Sequence, residues 1–434
     1  MKKLLGILAG FAVFVLLIPG RAGAVGSAAF RTEVPDGEAM GKGSAFVGEA
    51  DNPSAMYYNP AGMTQLKGNQ VSTGLTVVQP FVDFHNTTTK VQMQEQSFIL
   101  PHFYFVSDLN TDKFAFGISG NTNYGLGTAW NRDSFARYVT TDSDIVNING
   151  SVGLAYKLTD NWSIGVAADQ DSGTINKNKK LQQDATGDPA NDGDFQIKGT
   201  SNIDWGYRLS TLYKINERHQ IGLQYRSPIQ KNYKSKVTLS NLNGFAGTNY
   251  QSIFNGSYYE TGAELELELP QSVVMGYSYH PADKWRFNFD VEWTDWASIT
   301  QERLDFSKSL TAQQIAVLYN GNPAARDWHS AWSGALGADY QWTDKVALRC
   351  GYRFLQSPIP EPTWEPNLPD SSSHSAALGL GYKINSNLTV DVAYHGMFHP
   401  TQTIEKTQGG TGATIDGKYT NFTSLSTVTV GYKF

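Results

Sequence analysis

Two classes of residue alternate along most of this chain, apolar in one row and polar or small in the other. In DIVNINGSVGLAYKL the even positions from Val146 to Leu158 are apolar, aromatic or glycine, and the odd positions from Asn147 to Lys157 are polar or small. A period of two places successive side chains on opposite faces of a β-strand. We therefore predict an all-β chain, because the same period recurs at 203–209, 264–269, 285–293, 346–354 and 428–434.

The spacing of the strands narrows the fold class. Fourteen strands are predicted, at 69–83, 96–106, 114–126, 143–158, 161–175, 200–215, 219–233, 258–280, 284–301, 328–342, 345–356, 373–384, 387–399 and 420–434. A soluble sandwich also alternates, but here every second connection is a tight polar turn and the connections between are long. Short periplasmic turns and long outer loops along an even number of strands are typical of outer-membrane barrels. We predict a fourteen-stranded antiparallel transmembrane β-barrel over residues 69–434.

Aromatic residues beside the short turns support a membrane barrel. They are Tyr156, Trp162, Tyr213, Tyr279, Trp285, Trp342 and Tyr382. Such side chains favour the level of the lipid headgroups. The chain ends in VTVGYKF, with a terminal Phe434 after alternating apolar residues. In lipid only a closed barrel satisfies the hydrogen bonds of every strand edge.

The first 24 residues have the pattern of an export signal. Lys2 and Lys3 precede an apolar run, Leu4–Ile18, and a small-residue site ends at Ala24. We predict cleavage after Ala24, the alternative being an uncleaved anchor helix. Loss of the three basic residues Lys2, Lys3 and Arg21 takes the formal charge from −6 to −9, which argues against nucleic-acid binding. The expected location is the outer membrane of a Gram-negative bacterium.

Residues 25–68 do not alternate and contain the stretch DNPSAMYYNPAG. Asn52-Pro53 and Asn59-Pro60 each offer an N-cap followed by proline at the first helical position, so two short helical turns are predicted. A fourteen-stranded barrel has a wide interior. We expect this small, apolar segment to fill it as a plug, or hatch; the alternative is a periplasmic tail with two turns.

Two short motifs carry a resemblance to a known family. They are Asn59, Pro60, Ala61 and Gly62 after a small-residue segment, and Asn123, Tyr124 and Gly125 at the end of the third strand. With the loop pattern, they make the chain resemble the FadL-type outer-membrane transporters of long-chain fatty acids and aromatic hydrocarbons. The resemblance implies that the Asn-Pro-Ala motif of the hatch lies against a kink in the third strand, near Gly125. The kink would let substrate leave sideways into the membrane; the alternative is a strand that ends in a glycine-rich loop.

The resemblance also implies basic groups near the outer loops that bind a carboxylate head group. The candidates are Lys177, Lys179, Arg326 and His329, with His329 making binding pH-sensitive; the alternative is ordinary solvated loop charges. The loop after strand five is polar here, whereas that of family members is often apolar. A surface entry groove is therefore expected from Phe245, Ile253, Phe254, Leu310, Ile315 and Leu318, unless these residues only pack the loops together.

These features predict a monomeric passive transporter whose partners are a fatty acid or other hydrophobic small molecule and outer-membrane lipid. No cofactor is expected. His395 and His399 share a strand face but are too few for a metal site. The acidic residues Glu264, Glu266 and Glu268 are expected to face the lumen. A general diffusion porin and, less favoured, a barrel hydrolase remain as alternatives; the chain shows none of the common catalytic motifs.

Overall fold

Fourteen antiparallel strands form a closed barrel in the computed structural model, which describes residues 28–32, 36–245, 248–318, 322–405 and 414–434. The predicted export signal, residues 1–24, lies outside these ranges. The strands are β1 (Asn69–His85), β2 (Phe98–Ser107), β3 (Phe114–Ala129), β4 (Asp142–Thr159), β5 (Trp162–Leu181), β6 (Gly193–Ser201 and Asp204–Lys214), β7 (His219–Arg226 and Ile229–Ser240), β8 (Tyr259–Leu269 and Ser272–Ala282), β9 (Trp285–Thr294), β10 (Ala331–Gln341), β11 (Val346–Leu355), β12 (Ser373–Lys383), β13 (Leu388–Phe398) and β14 (Gly417–Lys433).

Each strand pairs with the next, and β14 pairs with β1 from Gln70↔Lys433 to His85↔Lys418. This last pairing closes the sheet, and the prediction of a fourteen-stranded antiparallel barrel is confirmed. No helix in the described ranges is long and apolar enough to cross a membrane.

The barrel wall is apolar on its outer face and polar on its inner face, as the alternation predicted. On β4 the side chains of Val152 and Leu154 are 53% and 52% exposed, whereas those of Asn147 and Asn149 are buried. Aromatic residues beside the short turns also point outward, among them Trp162, Tyr213, Trp285, Trp342 and Tyr382. The apolar row therefore forms the outer surface, where a lipid bilayer would contact it.

Three neighbouring strands are interrupted and change which residues face inward. In β8 the even positions from Ser272 to Ser278 face inward, but beyond Pro270 the odd positions Leu265 and Leu269 do so. β7 changes in the same way across Pro228, and β6 between its two segments. The expectation that Glu264, Glu266 and Glu268 face the lumen is therefore wrong, because the break at Pro270 reverses the parity. At the long-loop end these three strands present an apolar inner face.

Residues 28–32 and 36–68, called here the lumen segment, lie inside the barrel. The segment contains α1 (Gly37–Gly41), α2 (Ala55–Tyr58) and a 3-10 helix (Pro60–Gln65), and nearly all of its side chains are buried. The side chain of Asn59 accepts a hydrogen bond from Ala61 N, 3.2 Å away, with proline next to the cap, as the sequence predicted. The Asn52 side chain accepts a bond from Ser54 N at 2.8 Å.

The long connections carry only short elements. They are two helices, α3 (Tyr250–Ile253) and α4 (Ala312–Leu318), 3-10 turns at Pro189–Asn191, Trp296–Ser298 and Glu361–Thr363, and short strands at Lys90–Gln92, Gly244–Phe245, Thr248–Asn249, Gln301–Glu302, Leu304–Phe306, Ala324–Ala325 and Gln402–Ile404. Their apolar side chains join one buried cluster with the upper parts of β6 to β8. The long-loop end of the barrel is therefore covered rather than open.

Candidate transport pathway

Hydrogen bonds from several sides of the wall hold the lumen segment. Asp290 on β9 accepts bonds from Phe46 N and Val47 N at 2.8 and 2.9 Å. On β6, Arg208 donates to the carbonyl oxygens of Met56 and Tyr57 at 2.5 and 3.1 Å. Because buried backbone groups need partners, these wall side chains replace the pairing that the segment lacks internally.

Buried ion pairs add a second set of anchors near the short-turn end. Lys42 is fully buried, and its Nζ lies 2.5 Å from Glu49 Oε2. Glu49 also meets Arg286 of β9 at 2.7 Å, and Arg286 reaches Asp51 at 2.6 Å. Breaking one partner of such a pair leaves a buried charge uncompensated, which typically costs about 3–5 kcal/mol. These pairs bind the segment and the wall to each other.

Glycines in the wall let the backbone of the segment approach closely. A Cβ at Gly351 on β11 would overlap the backbone of Lys42 and Gly43, and one at Gly276 on β8 would overlap Gly48. Gly43 itself has a φ of +65°, a conformation that glycine adopts readily. The inner wall is therefore shaped to this segment and leaves no space for a larger side chain at these points.

The stability of the folded lumen segment is expected to depend on pH because of Asp36. Burial, reinforced by Glu38 and Asp391, raises the pKa of Asp36 from 3.8 to about 7. The folded protein then holds a proton that the unfolded chain releases, so stability falls as pH rises from about 4 to about 7 and is lowest above that range. We expect hydrogen exchange in residues 37–45, corrected for intrinsic rates, to be faster at pH 8 than at pH 5. Asp36→Asn should reduce this difference, and burial of Asp51, which raises its pKa to about 6, accounts for the remainder; an undiminished difference in the variant would contradict the assignment to Asp36.

The wall is incomplete between β2 and β3 towards the long-loop end. Their pairing runs only from Ser107↔Phe116 to Phe103↔Gly120, although β2 continues to pair with β1 as far as Phe98. Pro101 lies on the unpaired part of β2, where an amide hydrogen is not needed. From Gly120 to Ala129, β3 is buried on both faces, so it has left the lipid-facing wall.

A bulge marks the point at which β3 departs. Its pairing with β4 changes register between Asn121 and Tyr124, which is where the sequence predicted the kink at Asn123, Tyr124 and Gly125. The lumen segment pairs with the bulge: Gly125 N donates to Phe30 O at 2.8 Å, and Thr32 N donates to Asn123 O at 2.9 Å. Strand, bulge and lumen segment are therefore bonded to one another.

The Asn-Pro-Ala motif does not lie at this bulge, so the expectation of that contact is wrong for this chain. Asn59 Nδ2 donates to Thr211 O of β6 at 3.1 Å, and Ala61 N donates to Ser210 Oγ at 3.0 Å. A Cβ at Gly165 on β5 would overlap Pro60 and Ala61. The motif lies on β5 and β6 because Asn59 uses its side chain to cap the 3-10 helix and to bind that wall. Gly62 packs instead against Ala50 of the lumen segment itself. Phe30 and Thr32 occupy the bulge instead.

The ring of Phe98 packs into the opening between β2 and β3. Phe98 is 1% exposed, and its ring lies where a Cβ of Gly127 would be. Above the opening, Gln94 N donates to Ala129 O at 2.9 Å. The opening is thus bounded by backbone bonds at both ends and filled by a side chain, which can rotate more easily than a paired strand can separate.

An apolar pocket lies on the inner side of β3, at the long-loop end. Its volume is about 50 Å³, and its lining includes Phe30, Leu126, Ile145, Ile175, Leu265, Leu267, Ile299, Trp328 and Leu368. Phe30 makes an edge contact with Trp296, with ring centroids 5.0 Å apart, and Trp328 lies 5.6 Å from Trp296. Such a lining binds hydrocarbon, and Phe30 connects it directly to the bulge.

The polar end of this pocket contains two of the predicted head-group cations, already paired. Lys177 Nζ lies 2.5 Å from Glu302 Oε1, and Arg326 reaches Glu302 Oε2 at 3.1 Å. Arg326 also meets Glu365 at 3.3 Å. Burial alone would raise the pKa of Glu302, but Lys177 and Arg326 hold it below its usual value. Glu302 is therefore a carboxylate built into the position that a ligand carboxylate was expected to take.

The other two predicted head-group residues lie elsewhere. Lys179 is half-buried with its Nζ 5.1 Å from the ring centroid of Phe195, outside the pocket lining. His329 is exposed, because it alternates with the buried Trp328 next to it. The structure does not bring His329 to the pocket, so the predicted pH sensitivity from this residue has no support.

The comparison with known families agrees with this geometry. Residues 21–434 match a family model described as outer membrane protein transport protein of the OMPP1/FadL/TodX type. The chain belongs to this family. Family members are transport proteins of the outer membrane, and the chain is accordingly an outer-membrane transport protein of a Gram-negative bacterium.

Individual relatives cover nearly the whole chain. A long-chain fatty acid transport protein of Escherichia coli is 26% identical over 90% of this chain and 91% of the relative. Outer membrane protein P1 of Haemophilus influenzae is 25% identical over 86% of both. Among solved structures, a FadL homologue of Pseudomonas aeruginosa superposes with a TM-score of 0.81 at 19% identity, covering 94% of this chain and 100% of that one. The toluene transporter TodX of Pseudomonas putida gives 0.67 at 16% identity, covering 96% and 99%.

The residues predicted for a surface entry groove are only partly accessible. Phe254 is 5% exposed and Leu318 is fully buried, so a groove role for these two is wrong; both pack into the loop interior. Phe245, Ile253, Leu310 and Ile315 are half-buried or more exposed, and Ile253 and Leu310 pack against the same cluster. Loop packing, the alternative interpretation, describes this set better than an open groove does.

Sequence reasoning missed the aromatic residues and the carboxylate that define the pocket. Trp296 lies inside predicted strand nine, 284–301, and Trp328 is the first residue of predicted strand ten, 328–342, so both resemble ordinary strand residues. Glu302 lies 125 positions from Lys177, and nothing in the sequence indicates that the two are paired. The adjacency of Asp295-Trp296 to a strand end was the one available signal of a turn at this point.

Proposed function

We propose that this chain is a plug-gated passive channel for hydrophobic compounds, acting as a monomer. Molecules such as long-chain fatty acids or aromatic hydrocarbons enter among the outer loops and bind in the apolar pocket. Displacement of Phe30 and the bulge then moves the ring of Phe98, and the molecule leaves between β2 and β3 into the membrane. The printed names of the relatives, transporters of long-chain fatty acids and of toluene, support this substrate class.

One observation carries the sideways exit: β2 and β3 separate above Gly120 while each keeps its other neighbour. An unpaired edge at membrane depth exposes backbone groups to lipid, which is costly unless protein covers them. Here Phe98 covers the opening, and the lumen segment binds β3 from inside. The cost of these unpaired backbone groups is explained if the opening serves as the exit for the transported molecule.

The lumen segment distinguishes this proposal from a general diffusion porin. A porin needs a continuous aqueous channel, whereas this segment contacts strands on several sides of the barrel and is bonded to Asp290, Arg208 and Thr429. The proposed passage needs no energy source and no chemical step. It needs only that the apolar pocket and the opening become continuous when the bulge moves.

Gly125→Leu tests the sideways exit. Gly125 lies directly after the bulge, is buried, and donates its amide hydrogen to Phe30. A leucine side chain at this position meets packed atoms on either face of β3, so it should hold the bulge in one position or fill the exit. We expect several-fold slower uptake of radiolabelled laurate by cells that depend on this protein, at unchanged outer-membrane abundance.

Gly150→Leu is the matched control, because a Cβ at Gly150 on the neighbouring β4 meets no atom within 4 Å. It should insert and transport like the wild type. If the Gly125 variant is correctly folded and takes up laurate at the wild-type rate, the compound does not leave through this part of the wall.

A further inference from the structure

A second, polar cavity lies beside the apolar pocket, between the lumen segment and the wall. Its volume is about 30 Å³, which is room for about two water molecules; one carboxylate group is of similar size. Arg31 lines this cavity, and the preceding residue, Phe30, lines the apolar pocket. The two cavities are therefore lined by neighbouring residues of the lumen segment.

Arg226 of β7 faces this cavity with donors that no described residue satisfies. Its side chain is 6% exposed, and its Nε has no hydrogen-bond partner. Among the residues that the structure describes, no carboxylate forms an ion pair with it; its guanidinium lies 4.8 Å from the ring centroid of Tyr57. Ser44 and Tyr58 line the same cavity, and their hydroxyl groups lie close to each other. A buried donor such as the Arg226 Nε is costly unless something binds it.

Carboxylates near this cavity are already used by other groups. Glu292 pairs with both Arg31 and Arg353, the latter at 3.2 Å. Asp290, which also lines the cavity, accepts the two backbone bonds of the lumen segment through Oδ2, and its Oδ1 has no hydrogen-bond partner. Asp169 and Glu292 of the wall act on Arg226 as nearby charges, but in the described residues neither is hydrogen-bonded to it. The cavity therefore contains a buried arginine whose Nε is left without a hydrogen-bond partner.

We propose that Arg226 binds the carboxylate of a long-chain acid whose alkyl chain enters the apolar pocket and enlarges it beyond the volume of about 50 Å³ that it has in this structure. This assignment rests on the proposed function and specifies its substrate class. It also places the head group away from Lys177 and Arg326, whose charges are compensated by Glu302 and Glu365. Arginine suits this role because its guanidinium remains charged and binds carboxylates in a fixed geometry.

Ligand binding at both cavities requires the backbone at Phe30 and Arg31 to move. That movement breaks the bond from Gly125 N to Phe30 O, which ties the lumen segment to the bulge. A carboxylate on Arg226 with its chain in the apolar pocket therefore loosens the bulge beside the opening. A hydrocarbon without a head group gains nothing from Arg226.

Paired ligands test the assignment with the full mature protein in lipid nanodiscs. Binding of radiolabelled laurate and of methyl laurate, which has no charge, is measured by equilibrium dialysis for the wild type, Arg226→Gln and Arg226→Lys. We expect Arg226→Gln to bind laurate roughly tenfold more weakly or worse, the effect of losing a hydrogen-bonded charge. Methyl laurate should bind all three proteins equally, and Arg226→Lys should retain part of the laurate affinity.

Arg132→Gln is the control for the loss of one positive charge, because Arg132 lies at the surface with 68% of its side chain exposed. The migration of unheated samples on gels and the thermal unfolding midpoint show whether each variant is folded. Should Arg226→Gln be unstable, a crystal structure of the wild type with a brominated laurate replaces it: anomalous density in the apolar pocket with the carboxylate at Arg226 supports the assignment, and a carboxylate elsewhere overturns it.

The outcomes separate the two proposals. If the wild type binds neither laurate nor methyl laurate, the proposed function fails. If it binds both and Arg226→Gln binds laurate as tightly as the wild type, only the assignment of Arg226 is wrong. If acetate alone competes with an Arg226-dependent signal and laurate does not, the cavity is a site for small anions, and the acyl-chain assignment is overturned.

Discussion

A barrel that lacks residues 25–66 is expected to conduct ions and to admit small sugars that the complete protein excludes. In the complete protein the lumen segment occupies the space between β3–β6 on one side and β9–β14 on the other. Its removal leaves an inner wall of polar side chains, which water can solvate, and a fourteen-stranded interior is wide enough for solutes. The measurement is swelling of liposomes in arabinose and single-channel conductance in planar bilayers.

A single substitution tests the same role of the lumen segment. Gly351→Val places methyl groups where the backbone of Lys42 and Gly43 lies, so the lumen segment must move away from this part of the wall. Overpacking of this kind typically costs about 1–3 kcal/mol. We expect intermittent conductance, smaller than that of the truncated barrel. Gly150→Val, in open space, should remain closed. A truncated barrel that inserts and stays impermeable would show that the segment is not what closes the lumen.

The alternation of side chains and the lengths of the loops were sufficient to predict the barrel, because both depend on residues that are close together in the sequence. A strand in a two-sided wall must alternate, and β1 was predicted at 69–83 and is found at Asn69–His85. The N-cap at Asn59 is equally local, since the capping side chain and the amide that donates to it lie two residues apart. The bulge near Gly125 was indicated by a loss of alternation in FGISGNTNYGLG. Each of these features is encoded within about ten neighbouring residues.

Features that depend on distant residues were not predicted. Glu264 and Leu265 face the opposite sides to those predicted because β8 is interrupted at Pro270. The neighbouring strands β6 and β7 are interrupted at the same level, and the sequence of one strand does not reveal this. The Asn-Pro-Ala motif contacts Thr211 rather than the bulge because the path of the whole lumen segment decides its position. The pairing of Lys177 with Glu302 is of the same kind. The sequence therefore predicted neither the outward orientation of Glu264 nor the carboxylate that compensates Lys177.

The pairing of Glu302 with Lys177 and Arg326 leads to the second prediction of a large effect. Glu302→Gln is expected to make the apolar pocket bind laurate roughly tenfold more tightly. In the wild type, Lys177 lies 2.5 Å and Arg326 3.1 Å from Glu302, so a ligand carboxylate entering there meets a like charge and no unused cation. Glutamine keeps the size and removes the charge, which leaves Lys177 without its carboxylate near the head of a bound acid, whereas Arg326 keeps Glu365. Equilibrium dialysis with laurate measures the gain.

Methyl laurate provides the control, because an uncharged ester should bind Glu302→Gln and the wild type alike. The variant should unfold at a somewhat lower temperature, since Lys177 and Arg326 lose their shared partner. Combined with Arg226→Gln, Glu302→Gln should restore laurate binding, as the new site replaces the lost one. Equal affinity of laurate for Glu302→Gln and the wild type would mean that Glu302 does not govern which head groups the pocket accepts, and that the ion pairs at Lys177 and Arg326 serve only to hold the loops.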